Sequence, residues 1–239
     1  MLLNLTKNIY YTPPQEATDR PVMGYVKGSK YSLMVEAGNS QKTVKEFNYD
    51  LAQNGFKPAD FVVVTHHHWD HCFGLNAVNA LSFALDETNA ILENMSSWQW
   101  SDELLTDYVK NNKIPLFCEA HIRLEYPNLS EIKPITADIS FKDEMTIDLG
   151  EQICIFKKVV CPHTDDSIIV YIPGEKTVFF GDAICEELVG DQWIDNREKL
   201  EALIDELVEL DFDYGLEGHF LPKKKNIIIA EMKERLLKC

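Results

Sequence analysis

Residues 65–71, with the sequence THHHWDH, form the segment whose residue types and spacing could do chemistry. Counted from His66, the segment places His, His, Asp and His at relative positions 1, 3, 5 and 6. Neutral imidazole and carboxylate are ligands that zinc and similar divalent ions accept. Alternate residues of an extended segment point the same way, so His66 and His68 can bind one ion together. Asp70 and His71, after a turn of the chain, can bind a second ion nearby.

Three more potential ligands follow later in the chain, each directly after a strand-like run: His163, Asp182 and His219. One ion needs about four ligands, and the loop alone cannot supply two full sets. Strand ends that meet at one edge of a sheet sandwich form a cleft. The sequence therefore predicts two neighbouring metal sites made of five histidines and two aspartates, with one carboxylate left to bridge them.

In this order the motifs resemble the signature of the metallo-β-lactamase fold superfamily: H-x-H-x-D-H, then a His, a Gly-Asp and a final His. The resemblance spans nearly the whole chain, from Val22 to His219. It implies an α/β fold, a four-layer αβ/βα sandwich of two mixed β-sheets flanked by helices. It also implies two divalent metal ions, with Zn²⁺ favoured and Fe or Mn as alternatives. The implied ligands are His66, His68 and His163 for one ion, Asp70, His71 and His219 for the other, and Asp182 for the bridge.

The predicted function is a dinuclear metal-dependent hydrolase. Two ions that share a water lower its pKa, and the resulting bridging hydroxide would attack a small carbonyl substrate, namely an ester, thioester, lactone or amide. Asp70 is the candidate catalytic residue because it can accept a hydrogen bond from the hydroxide. One alternative is a phosphodiesterase, since the run D-H-x-x-G-L from Asp70 to Leu75 also resembles tRNA-processing members. The other is an iron-dependent persulfide-type dioxygenase, whose relatives use one iron with two His and one Asp.

The net charge of the chain disfavours some classes of binding partner. The 239 residues include 23 Lys and Arg against 39 Asp and Glu, a net charge of −16. Such a surface repels phosphate backbones and anionic lipids. We therefore expect a small-molecule substrate, no nucleic acid and no membrane, and a homodimer is possible. The start of the chain lacks the pattern of a secretory signal, and the six cysteines are scattered, which together favour a cytoplasmic protein.

Strand-like and helical patterns alternate in both halves of the sequence, which is typical of mixed sheets with helices outside. We predict strands at 1–11, 22–26, 31–35, 61–64, 135–141, 145–149, 153–160, 167–172, 177–180 and 213–217. We predict helices at 41–54, 101–110, 196–210 and 224–237. No Pro-, Gly- or Ser-rich linker divides the chain, so residues 1–239 are predicted to form a single domain. The less regular stretch at about 86–134 is predicted to be an insert that carries the substrate pocket.

Polar residues beside the motifs have both structural and functional interpretations. His67, between two ligands, is expected to face the other way and to be inert, and His121 is interpreted as an ordinary surface or core residue. Asp165 and Asp166 could add negative charge near the metals and favour a neutral or cationic substrate, or could cap a turn.

The tryptophans and a run of lysines also have both structural and functional interpretations. Trp69 could be a core residue or a pocket wall, whereas Trp98, Trp100 and Trp193 are predicted to line the substrate pocket. The run Lys223–Lys225 is interpreted as a solvated helix start, with the alternative that it holds a substrate carboxylate near the last motif histidine.

Overall fold

A computed structural model describes residues 1–190 and 192–239. Its strands are β1 (Leu3–Asn4), β2 (Ile9–Thr12), β3 (Met23–Lys27), β4 (Ser32–Val35), β5 (Phe61–Val63), β6 (Leu81–Leu85), β7 (Ile139–Phe141), β8 (Glu144–Asp148), β9 (Ile153–Lys158), β10 (Ile168–Ile172), β11 (Thr177–Gly181), β12 (Glu187–Val189), β13 (Gln192–Ile194), β14 (Tyr214–Glu217) and β15 (Lys223–Lys224). Its helices are α1 (Gln41–Gln53), α2 (Trp69–Cys72), α3 (Asp86–Ser96), α4 (Asp102–Lys110), α5 (Leu116–Glu125), α6 (Arg197–Glu209) and α7 (Lys225–Leu236).

Two mixed sheets form the centre of the fold. The first has seven strands in the order β1-β2-β3-β4-β5-β6-β7, antiparallel up to β4 and parallel from β4 to β7. The second has six strands in the order β15-β14-β11-β10-β9-β8, in which β11 and β14 are the parallel pair. A separate two-stranded sheet joins β12 to β13.

Three apolar layers hold the sheets and helices together. Between the sheets, residues such as Leu33 and Val63 belong to the same buried cluster as Phe156 and Val170 of the second sheet. A second cluster joins the other face of the first sheet to α1, and a third joins the other face of the second sheet to α6 and α7. The order helix, sheet, sheet, helix confirms the predicted four-layer αβ/βα sandwich.

Local sequence explains why the elements begin where they do. The short run Phe61–Val63 lies between two parallel neighbours, and its apolar residues suit a strand covered on both faces. At the start of α1, the Ser40 hydroxyl accepts a hydrogen bond from the backbone N–H of Thr43, 3.2 Å away. The Asn196 side chain caps α6 in the same manner.

The elements differ from the sequence-based prediction in several places. The N-terminal residues form the hairpin of β1 and β2 rather than one strand, and the strand predicted from Ile135 begins at Ile139. The prediction also missed β6, α3, α5 and the β12–β13 hairpin. In α5 the apolar residues Leu116, Phe117 and Leu124 are exposed, so the hydrophobic pattern does not mark a buried face.

None of the helices within the described residues has the length and apolar character that crossing a membrane requires. The assignment of residues 1–239 to a single domain stays a prediction.

Candidate metal centre

Four loops that follow strand ends carry the seven motif residues. The loop after β5 carries His66 and His68, and the short helix α2 continues it with Asp70 and His71. The others lie in the loop between β9 and β10 (His163), directly after β11 (Asp182) and two residues after β14 (His219). All four loops meet at one edge of the sandwich, and the seven side chains gather there in two groups.

The first group consists of three histidines. The ring nitrogens His163 Nε2 and His68 Nδ1 are 3.0 Å apart, and the His66 ring centroid lies 4.6 Å from that of His68 and 5.1 Å from that of His163. One ring nitrogen from each residue lies within 4.8 Å of the others. Three imidazoles grouped this closely match the histidine set of many divalent-metal sites.

The second group consists of two histidines and two carboxylates. His71 Nε2 lies 3.0 Å from Asp70 Oδ2 and 3.3 Å from Asp182 Oδ2. His219 Nε2 lies 3.2 Å and 3.4 Å from the same two oxygens. Ligands bound at about 2.0–2.1 Å in a tetrahedron are roughly 3.3–3.4 Å apart, so this spacing fits one ion at the centre of the four atoms.

Asp182 lies between the groups. Its Oδ2 atom, already close to both histidines of the second group, is also 3.6 Å from His163 Nε2 of the first group. A single carboxylate oxygen therefore borders both sets of nitrogens, which is the position that the family resemblance implies for a bridging ligand.

Hydrogen bonding tests whether metal ions fit these residues. Within residues 1–190 and 192–239, no hydrogen-bond partner exists for several buried atoms of the two groups: His66 Nε2, Asp70 Oδ2, His71 Nε2 and Asp182 Oδ1. Leaving a buried polar atom unpaired costs about 1–3 kcal/mol, so four together at one site need an explanation. Bound divalent ions would supply the missing partners, and the donor set of imidazole and carboxylate is the one that such ions take.

The family comparison decides which proteins the chain resembles. The model of the metallo-beta-lactamase superfamily matches residues 19–215. The chain belongs to the metallo-β-lactamase superfamily. His219, which completes the second group, lies four residues beyond the matched range. None of the curated protein sequences compared with this superfamily member matches it significantly.

Solved structures share the fold at low sequence identity. A metallo-beta-lactamase from Pontibacter korlensis is 14% identical, with a TM-score of 0.67, and the alignment covers 100% of this chain and 98% of that one. A metallo-beta-lactamase from Hirschia baltica is 14% identical, with a TM-score of 0.64 and coverage of 99% and 97%. A stereoselective inverting sec-alkylsulfatase from a Pseudomonas species is 13% identical with a TM-score of 0.71, and the match covers 99% of this chain but 41% of that one.

The charges of this metallo-β-lactamase superfamily member differ between the two groups. Burial lowers the pKa of His71, but the carboxylates of Asp70, Asp182 and Glu36 outweigh it and raise that pKa well above its usual value. Burial likewise lowers the pKa of His219, and Asp182 and Asp70 raise it well above normal. Burial, followed by repulsion from the charge on His71, holds the pKa of His66 well below its usual value. Without metal, protons on His71 and His219 of the second group are therefore favoured, whereas a proton on His66 is disfavoured.

Glu36 is a functional candidate that the sequence reasoning missed. It follows β4, is buried, and has a φ of 71°, in the left-handed region. Its carboxylate accepts hydrogen bonds from the Thr65 backbone N–H (3.2 Å) and hydroxyl (2.5 Å), and lies 3.1 Å from His71 Nδ1. A carboxylate behind a ligating histidine fixes the orientation of its ring. The available signal was an acidic residue directly after the strand that pairs in parallel with β5.

Replacing Glu36 with Gln is expected to lower the metal affinity of the second group about 10–100-fold, the usual effect of losing such an outer carboxylate. The cause is that the ring of His71 would lose its charged partner on Nδ1. Metal titration calorimetry of the variant measures the effect. Glu46→Gln is the control, because Glu46 is half-exposed and pairs with Arg20 on the surface. Equal affinities in both variants would contradict the role of Glu36.

Asp19 is a second missed residue. Its Oδ1 lies 3.6 Å from His219 Nδ1, on the side of the ring away from the second group. Burial, and then the charge of Asp70, raise the pKa of Asp19 to about 6. Asp19 therefore stands behind His219 much as Glu36 stands behind His71, but no motif in the sequence marks it.

His67 and Asp166 connect the loop after β5 to helix α3. His67 Nδ1 lies 2.9 Å from Asp166 Oδ1, and the His67 backbone N–H donates to Asp166 Oδ2 over 3.0 Å. The Thr88 hydroxyl of α3 donates to the same oxygen over 2.9 Å. Asp165 instead pairs with Lys199 at the surface, 2.6 Å away. These contacts favour a structural role for His67 and for both aspartates.

The other ambiguous residues are divided between the core and the surface. Trp69 and Trp100 are buried in the helix-facing core of the first sheet, and Trp98 packs against that core. This packing corrects the prediction that Trp98 and Trp100 line the pocket, whereas Trp193 is 52% exposed. Lys223 Nζ pairs with carboxylates 3.1 and 2.8 Å away, on Glu217 and Glu231, which favours the structural interpretation of the lysine run.

Proposed function

We propose that the chain is a dinuclear metal-dependent hydrolase of small carbonyl substrates. The observation that carries this proposal is the pair of ligand groups that share Asp182 and contain unpaired, buried donor and acceptor atoms within the described residues. Two divalent ions, when bound, supply Lewis acidity and lower the pKa of water towards about 7. Zn²⁺ is the favoured metal, with Fe or Mn as alternatives, because the donors are imidazole and carboxylate.

The chain's own residues would bind, orient and hold protons in this reaction. His66, His68 and His163 would hold one ion, and Asp70, His71 and His219 the other, with Asp182 shared. Asp70 Oδ2 faces the second group and would accept a hydrogen bond from the attacking water, which orients its lone pair towards the substrate carbonyl. No serine or cysteine nucleophile is required, and Cys72, the thiol nearest the motif in sequence, is buried and donates to the carbonyls of His67 and His68.

The geometry supports two ions over one. The dioxygenase alternative needs a single iron with two histidines and one carboxylate, whereas here a three-histidine group adjoins a separate group of four ligands. The net charge of −16 disfavours the phosphodiesterase alternative if its substrate is nucleic acid. The sec-alkylsulfatase among the structural neighbours makes sulfate esters a further class to assay.

Metal analysis and a substrate panel test the proposal. We expect about two metal ions per purified chain, and faster turnover of esters, thioesters, lactones or amides than of bis-nitrophenyl phosphate or alkyl sulfates. Faster phosphodiester cleavage would favour the first alternative. Iron as the dominant metal, with oxygen uptake, would favour the second. A fully metal-loaded protein that cleaves no carbonyl compound would overturn the proposal.

Metal binding to the second group is expected to release about two protons at neutral pH. His71 and His219 hold those protons because their pKa values are raised, and an ion must displace both. Affinity should therefore rise with pH by about 100-fold per unit, tenfold for each proton displaced. His66 and His68 have lowered pKa values and release none. Calorimetry in buffers of different protonation enthalpy measures the number of protons released. A metal affinity of the second group that does not change with pH would contradict the prediction.

The expected setting of the enzyme also belongs to this proposal. A small-molecule substrate agrees with the net charge of −16, and a cytoplasmic setting agrees with the scattered cysteines. A homodimer is the assembly to test. Cell fractionation and light scattering test the compartment and the assembly.

A further inference from the structure

We propose that an aromatic arch, formed by Phe117 of α5 and Trp193 of the β12–β13 hairpin, is the substrate-selecting wall of the metal centre. It would take an aryl or alkyl group attached to the scissile bond of a neutral carbonyl substrate. This inference rests on the proposed function, since it names the substrate class of the same site. Nothing in the motif signature assigns either residue.

One end of the arch stands beside the second ligand group. The ring of Phe117 packs on His121, with centroids 4.4 Å apart. Helix α5 packs against the 3-10 turn Glu16–Thr18, which directly precedes Asp19. In agreement, burial and then the charges of Asp70 and Asp19 raise the pKa of Cys118, the residue after Phe117. Helix α5 therefore lies against the segment that carries Asp19, the residue behind His219 of the second group.

The other end of the arch is joined to the first ligand group. His163 Nδ1 lies 2.8 Å from the carbonyl oxygen of Glu186, the residue that precedes β12. From there the hairpin extends to Trp193, whose ring meets that of Phe117 edge to face, with centroids 5.9 Å apart and planes at 79°. The two aromatic rings thus connect elements that border opposite ends of the centre.

The base of the hairpin is held in place by α7. Arg235 Nε donates to Asp195 Oδ2, which follows β13, over 3.0 Å. The same guanidinium donates to the carbonyl oxygen of Ile184, which precedes β12. One side chain therefore fixes both ends of the hairpin, so that Trp193 is presented by an anchored element.

The arch leaves apolar surface uncovered on two elements that border the ligand groups. Phe117 is 41% exposed and Trp193 is 52% exposed, although each ring contacts the other. Apolar surface gains about 25 cal/mol per Å² when it is removed from water, so a ligand with an apolar group would be drawn to it. The surrounding acidic residues, Asp19 and Glu186 among them, favour a neutral over an anionic ligand. A substrate is the fitting occupant because the hairpin contacts His163 of the first group, and α5 packs against the turn that precedes Asp19, which stands behind His219 of the second.

A series of p-nitrophenyl esters tests the arch, with the acyl chain lengthened from acetate to hexanoate. For the metal-loaded wild-type protein, kcat/KM should rise about two- to threefold per added methylene, somewhat below the full transfer value. The ratio of hexanoate to acetate should fall towards 1 in Trp193→Ala and in Phe117→Ala. Trp98→Ala is the matched control, because the Trp98 ring packs on Trp100 and Tyr108 and not on either arch ring, and its ratio should stay at the wild-type value. Metal content and circular dichroism verify that each variant is loaded and folded.

Measuring the binding of hydroxamates distinguishes an error in the arch proposal from an error in the proposed hydrolase function. Hexanohydroxamate should bind the metal-loaded protein at least about tenfold more tightly than acetohydroxamate, and Trp193→Ala should remove most of that difference. If the protein binds hydroxamates in this pattern but hydrolyses no ester, the hydrolase proposal fails and the arch stands. If esters are hydrolysed with no chain-length preference, or if both arch variants keep the wild-type ratios, the arch is overturned and the hydrolase stands.

Discussion

Asp182→Ala is expected to lower metal content from about two ions per chain towards one and to reduce turnover by more than about 100-fold. Losing even an outer partner of a ligand costs about 10–100-fold, and Asp182 is placed to touch both ions. Its Oδ2 lies 3.3 Å from His71 Nε2 and 3.6 Å from His163 Nε2, so its loss removes a ligand from each group. Metal analysis by mass spectrometry and ester hydrolysis rates measure the two effects.

Asp165→Ala provides the control for this substitution. Asp165 is also an aspartate beside a motif histidine, but it pairs with Lys199 at the surface. Its variant should retain both ions and nearly full turnover. Full activity and full metal content in Asp182→Ala would count decisively against a bridging role.

Gly218→Ala should disable the centre without changing any ligand. An added Cβ would lie 1.9 Å from Asp182 Oδ1 and 3.1 Å from His71 Cε1. The backbone of residue 218 cannot easily retreat, because its N–H donates to Gly181 O over 2.7 Å and its carbonyl accepts from Val22 N–H over 2.6 Å. Asp182 must therefore move, and a displacement of about 1 Å at a reacting centre can cost about 100-fold in rate. Metal titration and turnover of the purified variant would measure the loss.

Gly174→Ala is the matched control for the glycine. The added Cβ there would meet the end of the flexible Gln152 side chain at 2.9 Å, and that side chain can turn away. We expect normal metal content and turnover for Gly174→Ala and an unchanged circular dichroism spectrum for both variants. Wild-type metal binding by Gly218→Ala would show that the centre accommodates a Cβ at residue 218, and would contradict this prediction.

The gathering of the candidate ligands could be predicted because metal chemistry restricts which residue types serve. Histidines and aspartates at fixed spacings, each following a strand-like run, were enough to place His66, Asp182 and His219 at one edge of the fold. The two mixed sheets followed from the same alternation of strands and helices. Type, spacing and periodicity are local properties, and a sequence displays them directly.

The parts that were missed depend on neighbours that are distant in the sequence. Glu36 is important because β4 lies beside β5, a pairing that no local pattern in either strand specifies. Asp19 is important because a left-handed residue at φ 52° brings its carboxylate towards His219. Helix α5 was missed because its exposed apolar residues, including Phe117, obscure the usual helical periodicity. Of the two arch residues, the sequence therefore indicated only Trp193.

Each ligand group draws on both halves of the sandwich. The loop after β5 and helix α2 belong to the first sheet, whereas His163, Asp182 and His219 follow strands of the second. Ions held between them would act as cross-links that fasten one sheet to the other at this edge. By mass action, an ion at 100 times its dissociation constant adds about 2.7 kcal/mol to folding stability. Chelation would then cost the protein rigidity as well as activity, and cellular metal supply would govern its lifetime.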